Sequence, residues 1–172
     1  MSTNVQLFVP CLVEDMFPEI GEATATVLER AGCAVHIPKG QTCCGQMQYK
    51  QGLWPETREL ARRFLDIFDE TPVVGPSGSC VAMVRAYPKL FAEEPETLPR
   101  AEALAARTYE LCEFLVNVAG VTDLGASFSA KAVYHDSCQV GRALGIKEEP
   151  RQLMAAVKGL ELAELARPDR CC

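Results

Sequence analysis

The sequence predicts an α/β fold built from two tandem Rossmann-like βαβ repeats with mainly parallel sheets, and three observations carry that reading. Short runs rich in β-branched and aromatic residues alternate with longer amphipathic stretches. The order strand, lone cysteine, helix, strand, adjacent cysteine pair occurs twice, with 31 residues between Cys11 and Cys43 and 32 between Cys138 and Cys171. The 172 residues, 48% of them apolar, suffice for one domain or two small halves whose core needs no disulfide staples. The repeats are assigned to residues 1–120 and 121–172, the second truncated at its C-terminal end.

Each element has a local reason. Residues 4–10 (NVQLFVP) form a short buried strand ending in Pro10-Cys11. Residues 14–31 read as one helix, with Met16, Ile20, Ala23, Val27 and Leu28 at helical spacing and Gly32 at the stop. A second strand over 34–37 leads through Pro38 and Gly40 to the loop of Cys43, Cys44 and Gly45. Residues 57–68 carry an apolar face of Leu60, Ala61, Phe64, Leu65 and Phe68, and 71–75 (TPVVG) read as a third strand. Ser77, Gly78 and Ser79 turn through Cys80 into a helical run over 81–87, and the acidic, proline-containing stretch 92–99 is an exposed connection. Residues 101–119 predict a long helix closed by Gly120. A strand over 131–135, a helix over 151–157 and a segment 160–165 that periodicity leaves as strand or helix complete the chain.

Composition excludes several function classes. Seventeen basic against 23 acidic residues give a net charge of -6, so no basic surface is held in reserve for a phosphate backbone and nucleic acid is not an expected partner. No apolar run is long enough for a membrane span, and the first 15 residues carry Pro10, Glu14 and Asp15 where a signal peptide would be apolar. The expected location is the cytoplasm. There nine cysteines point to metal or redox chemistry, because structural disulfides are rare in that compartment. No nucleophile with its base, glycine-rich phosphate loop or catalytic carboxylate pair emerges, which argues against independent substrate turnover.

In a doubly wound sheet, ligands bind beyond the carboxyl ends of the strands. Cys11, Cys43, Cys44 and Cys80 all follow predicted strands, so the fold brings four thiols toward one edge. Thiolates there hold an iron–sulfur cluster or a structural zinc, and an adjacent Cys-Cys pair suits a multi-iron cluster better than one tetrahedral ion. Redox disulfide chemistry is the other reading of the same set. Cys33 and Cys112 have no duplicated counterpart and read as packing residues. Ser77 and Ser79 read either as a helix cap or as donors to sulfur, His135 and Asp136 as a strand-end pair or as tuning groups for Cys138, and Tyr49 and Trp54 as packing or as a shield for the site.

The segments Phe8-Val9-Pro10-Cys11, Gln41-Thr42-Cys43-Cys44-Gly45-Gln46, Gly75-Pro76-Ser77-Gly78-Ser79-Cys80 and Tyr134-His135-Asp136-Ser137-Cys138 resemble the cysteine-rich CCG domain family. That family includes cysteine-rich components of heterodisulfide reductases, the iron–sulfur components of glycolate oxidases and the lactate utilization proteins, the last being nearest. The resemblance spans essentially the whole chain. It implies an iron–sulfur electron-transfer subunit, of [4Fe-4S] type, in a complex that oxidises L-lactate to pyruvate with companion iron–sulfur and lactate utilization subunits. Carried over by residue, Cys11, Cys43, Cys44 and Cys80 are the first ligand set, and Cys138, Cys171 and Cys172 begin the second. The chain departs from the family at Met83, where a fifth cysteine would stand, and at Gln139, where relatives often carry His. With its end at Cys172 the second set has three cysteines. A thiol–disulfide redox protein and a zinc-stabilised scaffold are the alternative functions.

Overall fold

A computed structural model of the protein describes residues 3–68 and 70–171. They fall into two compact units, Met1–Glu110 and Leu111–Cys172.

In the first unit, β1 (Thr3–Leu7), β2 (Cys33–His36), β3 (Val73–Gly75) and β4 (Thr108–Glu110) form a parallel sheet in the order β2-β1-β3-β4. Register runs from Thr3 opposite Cys33 to Gln6 opposite His36, with Leu7 opposite Val74 and Gly75 opposite Glu110. The chain moves one way from β1 to β2 and the other way from β2 through β3 to β4. Right-handed crossovers therefore place α1 (Cys11–Met16) and α2 (Pro18–Arg30) on one face, and α4 (Trp54–Ile67), α5 (Gly78–Arg85) and α7 (Leu98–Ala106) on the other. The short helices α3 (Gln46–Lys50) and α6 (Tyr87–Leu90) precede α4 and follow α5.

The core lies between the sheet and the α4, α5, α7 layer. Phe8 sits edge-on to Phe64 at 4.8 Å and to Phe68 at 6.1 Å, while Phe64 stacks on Phe68 at 4.3 Å and meets Tyr87 edge-on at 5.8 Å. Such ring pairs add about 0.5–1.5 kcal/mol each beyond area burial. Gly75 is required by this packing, since a Cβ there would lie 3.1 Å from the Phe8 ring. Arg62 lies over the Phe91 ring at 5.0 Å and grips the Glu94 carboxylate at 2.7 Å, so one acid of the connection is ion-paired.

Two predicted helices are divided. The 14–31 helix breaks at Phe17, whose backbone (φ -138°, ψ 55°) leaves the helical region, and α2 restarts with Pro18 at its first position. Proline lacks the N–H that a continuous helix would use there, and its ring opposes a helical residue before it. The 101–119 helix ends at Ala106, and Thr108–Glu110 leaves helical geometry to pair with β3 as the sheet's edge strand. Its carbonyl at Thr108 accepts from Arg85 Nε at 2.7 Å, and the Thr108 hydroxyl donates to the Leu104 carbonyl at 2.7 Å. Sheet pairing satisfies backbone groups of β3 that an uninterrupted helix would leave orphaned, and this outweighs a helix propensity of tenths of a kcal/mol per residue.

In the second unit, α8 (Leu111–Glu113) runs into a π-helical turn, Phe114–Val118. Strand β5 (Ser127–Val133) then pairs in parallel with β6 (Lys158–Ala163) through a second π-helical turn, Gln139–Leu144, and α9 (Glu148–Ala155). The segment left open between strand and helix is thus a strand. Lys131 and Glu161 are register partners and form an exposed ion pair at 2.6 Å. Among the described residues no helix is long and apolar enough to cross a membrane.

Candidate metal centre

Four of the first-unit cysteines, Cys11, Cys43, Cys44 and Cys80, meet where the sheet order reverses. Cys11 opens α1 after the short Phe8-Val9-Pro10 link from β1, Cys43 and Cys44 lie in the loop between β2 and α3, and Cys80 lies in the first turn of α5 after β3. Because the connections from β1 and β3 diverge to opposite faces, the carboxyl ends of these strands border a crevice, the usual ligand position in an open α/β sheet. Cys44 is buried in the core cluster with Phe8, Phe64 and Tyr87, and Cys43 and Cys80 pack against it. The site therefore has an apolar floor.

Three tethers fix the Cys-Cys loop. The Gln41 amide accepts the Val9 N–H at 2.8 Å and donates to the carbonyls of Leu7 at 2.9 Å and Pro38 at 3.1 Å, sewing the loop to the end of β1. Gln46 Nε2 donates to the Ser79 carbonyl at 2.8 Å, and the buried Tyr87 hydroxyl donates to the Cys44 carbonyl at 2.9 Å. Gly45 completes the turn at φ +83°, a left-handed conformation costly for any residue with a Cβ, and a Cβ there would also stand 3.3 Å from Thr57 Cγ2. Its N–H points to Cys43 Sγ at 3.4 Å. Sequence reasoning missed the roles of Gln41, Gln46 and Tyr87; the two glutamines flanking Thr-Cys-Cys-Gly were the available signal.

The thiols form a hydrogen-bonded chain from Cys11 through Cys43 and Cys44 to Cys80. Donation from the Cys44 thiol, then from the Gly45 N–H and Cys11, outweighs burial and lowers Cys43 to about 5. Donation from Cys44, assisted by the Ser77 and Ser79 hydroxyls, likewise lowers Cys80 to about 6 against its burial. Cys44 is pushed far up by its bonds to these two sulfurs and by burial, and Cys11 is raised by burial and by the neighbouring Cys43 charge. Cys44 is thus the common donor that favours the thiolate form of both Cys43 and Cys80. Ser77 and Ser79 thus serve sulfur; Ser77 occupies the N-cap of α5 without a side-chain capping bond.

The donor set fits an iron–sulfur group by its chemistry. It offers four thiols, with Cys43 and Cys80 lowered by donation from Cys44 and with N–H and O–H donors turned to sulfur. Among the described residues no three His, Cys, Asp or Glu side chains are drawn around one ion position. An adjacent Cys-Cys pair suits a group of several irons better than a single tetrahedral ion. Met83, at the place of the family's fifth cysteine, is buried in the core. Tyr49 packs against that core and meets Trp54 edge-on at 4.8 Å, and Trp54 is exposed. Cys33 is buried in β2, where burial raises its thiol, and Cys112 is half-buried in α8.

In the second unit, Cys138 and Cys171 are exposed, and Cys172 lies outside the described residues. The tail before Cys171 is tied to the Cys138 loop. Asp136 N–H donates to the Pro168 carbonyl at 2.8 Å, His135 Nε2 meets the Arg170 carbonyl at 2.8 Å, and Arg142 donates to the Asp169 carbonyl at 2.9 Å. Asp136 is buried and takes a two-pronged contact from Arg151 at 2.8 and 3.2 Å, with the guanidinium over the Tyr134 ring. His135 and Asp136 thereby hold the strand end and the tail.

Two segments, residues 5–85 and 132–172, match the model of the cysteine-rich domain family CCG. The chain belongs to that family. Among curated relatives, the lactate utilization protein A of Exiguobacterium sp. (strain ATCC BAA-1283 / AT1b) is 49% identical over 98% of this chain and 70% of its own length. The proteins of that name from Geobacillus kaustophilus and Bacillus subtilis are 47% and 45% identical, each over 98% of this chain and 71% of their own. The CCG chain spans about seven-tenths of the length of these relatives.

Proposed function

We propose that the protein is an iron–sulfur electron-transfer subunit of a lactate utilization system in the cytoplasm, working with companion iron–sulfur and lactate utilization subunits. Cys11, Cys43, Cys44 and Cys80 hold a [4Fe-4S] cluster, and Cys138, Cys171 and Cys172 begin a second ligand set on a repeat of the first. The observation that carries this reading is the convergence of four thiols at the β1/β3 switch point, with Cys44 buried in the core and Cys43 and Cys80 packed against it. Relatives named lactate utilization protein A support the parent pathway. Oxidation of L-lactate to pyruvate releases two electrons and two protons; a bound cluster accepts and returns electrons one at a time. This chain's residues supply the setting. Gln41, Gln46 and Tyr87 hold the ligand loop rigid, the Gly45 N–H and the Ser77 and Ser79 hydroxyls offset charge on sulfur, and the aromatic floor excludes water.

The test is the iron, acid-labile sulfide and zinc content of protein purified without oxygen, with its absorption spectrum. About four irons and four sulfides per first-unit site are expected, with broad absorption near 400 nm. Cys43→Ser is expected to abolish loading of that site, and full iron in this variant would refute the assignment. Zinc without iron would establish a structural site instead, and no metal would leave thiol–disulfide chemistry.

A further inference from the structure

We infer that the Thr42 hydroxyl donates a hydrogen bond to a sulfur of the cluster held by the first cysteine set and thereby raises its reduction potential. This rests on the cluster reading above. Among the described residues, three buried side-chain polar atoms lack a hydrogen-bond partner: Gln6 Oε1, Thr42 Oγ1 and Gln48 Oε1. Two are amide oxygens, which only accept. Thr42 alone carries a proton with no acceptor.

Its position gives that proton a use. Thr42 is one peptide bond from Cys43, between the Gln41 anchor and the thiol pair, in a loop whose two flanking glutamines are both engaged. Buried unsatisfied donors are rare in folded proteins because each forfeits its hydration without return. A cysteine or inorganic sulfur of a bound cluster supplies the acceptor that the protein itself omits. Reduction places an additional negative charge on the cluster, so a donor to sulfur stabilises the reduced form more than the oxidised one and moves the potential upward.

Thr42→Val removes the hydroxyl and keeps the shape, and Thr42→Ser keeps the hydroxyl. The measurement is an anaerobic redox titration of the loaded full chain, followed by electron paramagnetic resonance, beside urea unfolding of the metal-free forms. Thr42→Val is expected to weaken the reduced state about tenfold relative to the oxidised, a shift of about 59 mV to more negative potential for a one-electron couple. Thr42→Ser is expected to stay near wild type. Metal-free Thr42→Val should be as stable as wild type or more so, since it loses only an unpartnered group. A folded Thr42→Val chain that takes up no cluster, while Thr42→Ser does, also supports the hydroxyl's role. Loaded Thr42→Val with the wild-type midpoint, or an equal shift in both variants, overturns the inference alone. A wild-type chain that binds no cluster overturns the functional reading and this inference together.

Discussion

Replacing Gln41 by Ala removes the tether between the Cys-Cys loop and the end of β1. Three hydrogen bonds are lost, to Val9 N–H, Leu7 carbonyl and Pro38 carbonyl, all in a partly buried setting. At about 1 kcal/mol net per bond, with water recovering part of the loss at the Pro38 end, the cost is about 2–3 kcal/mol. Metal-free reduced protein is unfolded in urea while the fluorescence of Trp54 is followed, the chain's single tryptophan, which lies in the same unit. With a slope of about 2 kcal/mol per molar urea, the midpoint falls by about 1–1.5 M. Gln41→Glu sharpens the test. Its carboxylate still accepts from Val9 but faces two carbonyl oxygens to which it cannot donate, so its folded pKa is raised. The protonated form is then favoured in the folded state, and stability is greatest below the unfolded carboxyl pKa and declines as pH rises through the folded one. A Gln41→Ala midpoint within about 0.2 M of wild type, or a Gln41→Glu variant that strengthens as pH rises, would refute this account of the loop.

Gly45→Ala forces a Cβ into left-handed backbone against Thr57, and the same urea assay should register a loss of about 1–2 kcal/mol. Tyr87→Phe leaves the buried Cys44 carbonyl without its donor and should cost about 1–2 kcal/mol, with faster hydrogen exchange in the Cys-Cys loop. In metal-free reduced protein, alkylation followed by mass spectrometry should label Cys43 and Cys80 from about pH 5–6 upward, well ahead of Cys11 and Cys44. Because these two thiols are depressed in the folded state, their contribution to stability is complete above the unfolded thiol pKa and is lost as pH falls through about 6 toward about 5. Asp136→Asn removes the charge that faces Arg151 and should speed exchange of the residue 136 amide, which bonds to Pro168.

Much of the fold was legible because its signals are local. The strands at 4–10, 34–37 and 71–75 are short β-branched runs bounded by proline or glycine, and the amphipathic helix over 57–68 follows a 3.6-residue period. The strand-end cysteines were equally legible, since a thiol after each of several parallel strands implies a common edge. Pro18 was a local signal overlooked within an otherwise periodic helix. Residues 108–110 offered less. Thr-Tyr-Glu becomes a strand because β3 presents an unpaired edge to it, a fact that windowed propensity does not contain.

The sequence by itself determined the α/β class, the parallel connectivity and the placement of Cys11, Cys43, Cys44 and Cys80 after strands, because each depends on residue type and spacing along the chain. Tertiary structure decided which groups act on those cysteines. Only folding brings Gln41 to Leu7 and Val9, Gln46 to Ser79 and Tyr87 to the Cys44 carbonyl, across separations of 32 to 43 residues. It also decided that Ser77 and Ser79 face sulfur instead of capping a helix, and that the Thr42 hydroxyl is buried without a partner. Hydrogen bonding and ionisation depend on distances of a few ångström between residues far apart in the chain, and those distances exist only once the sheet has set its register.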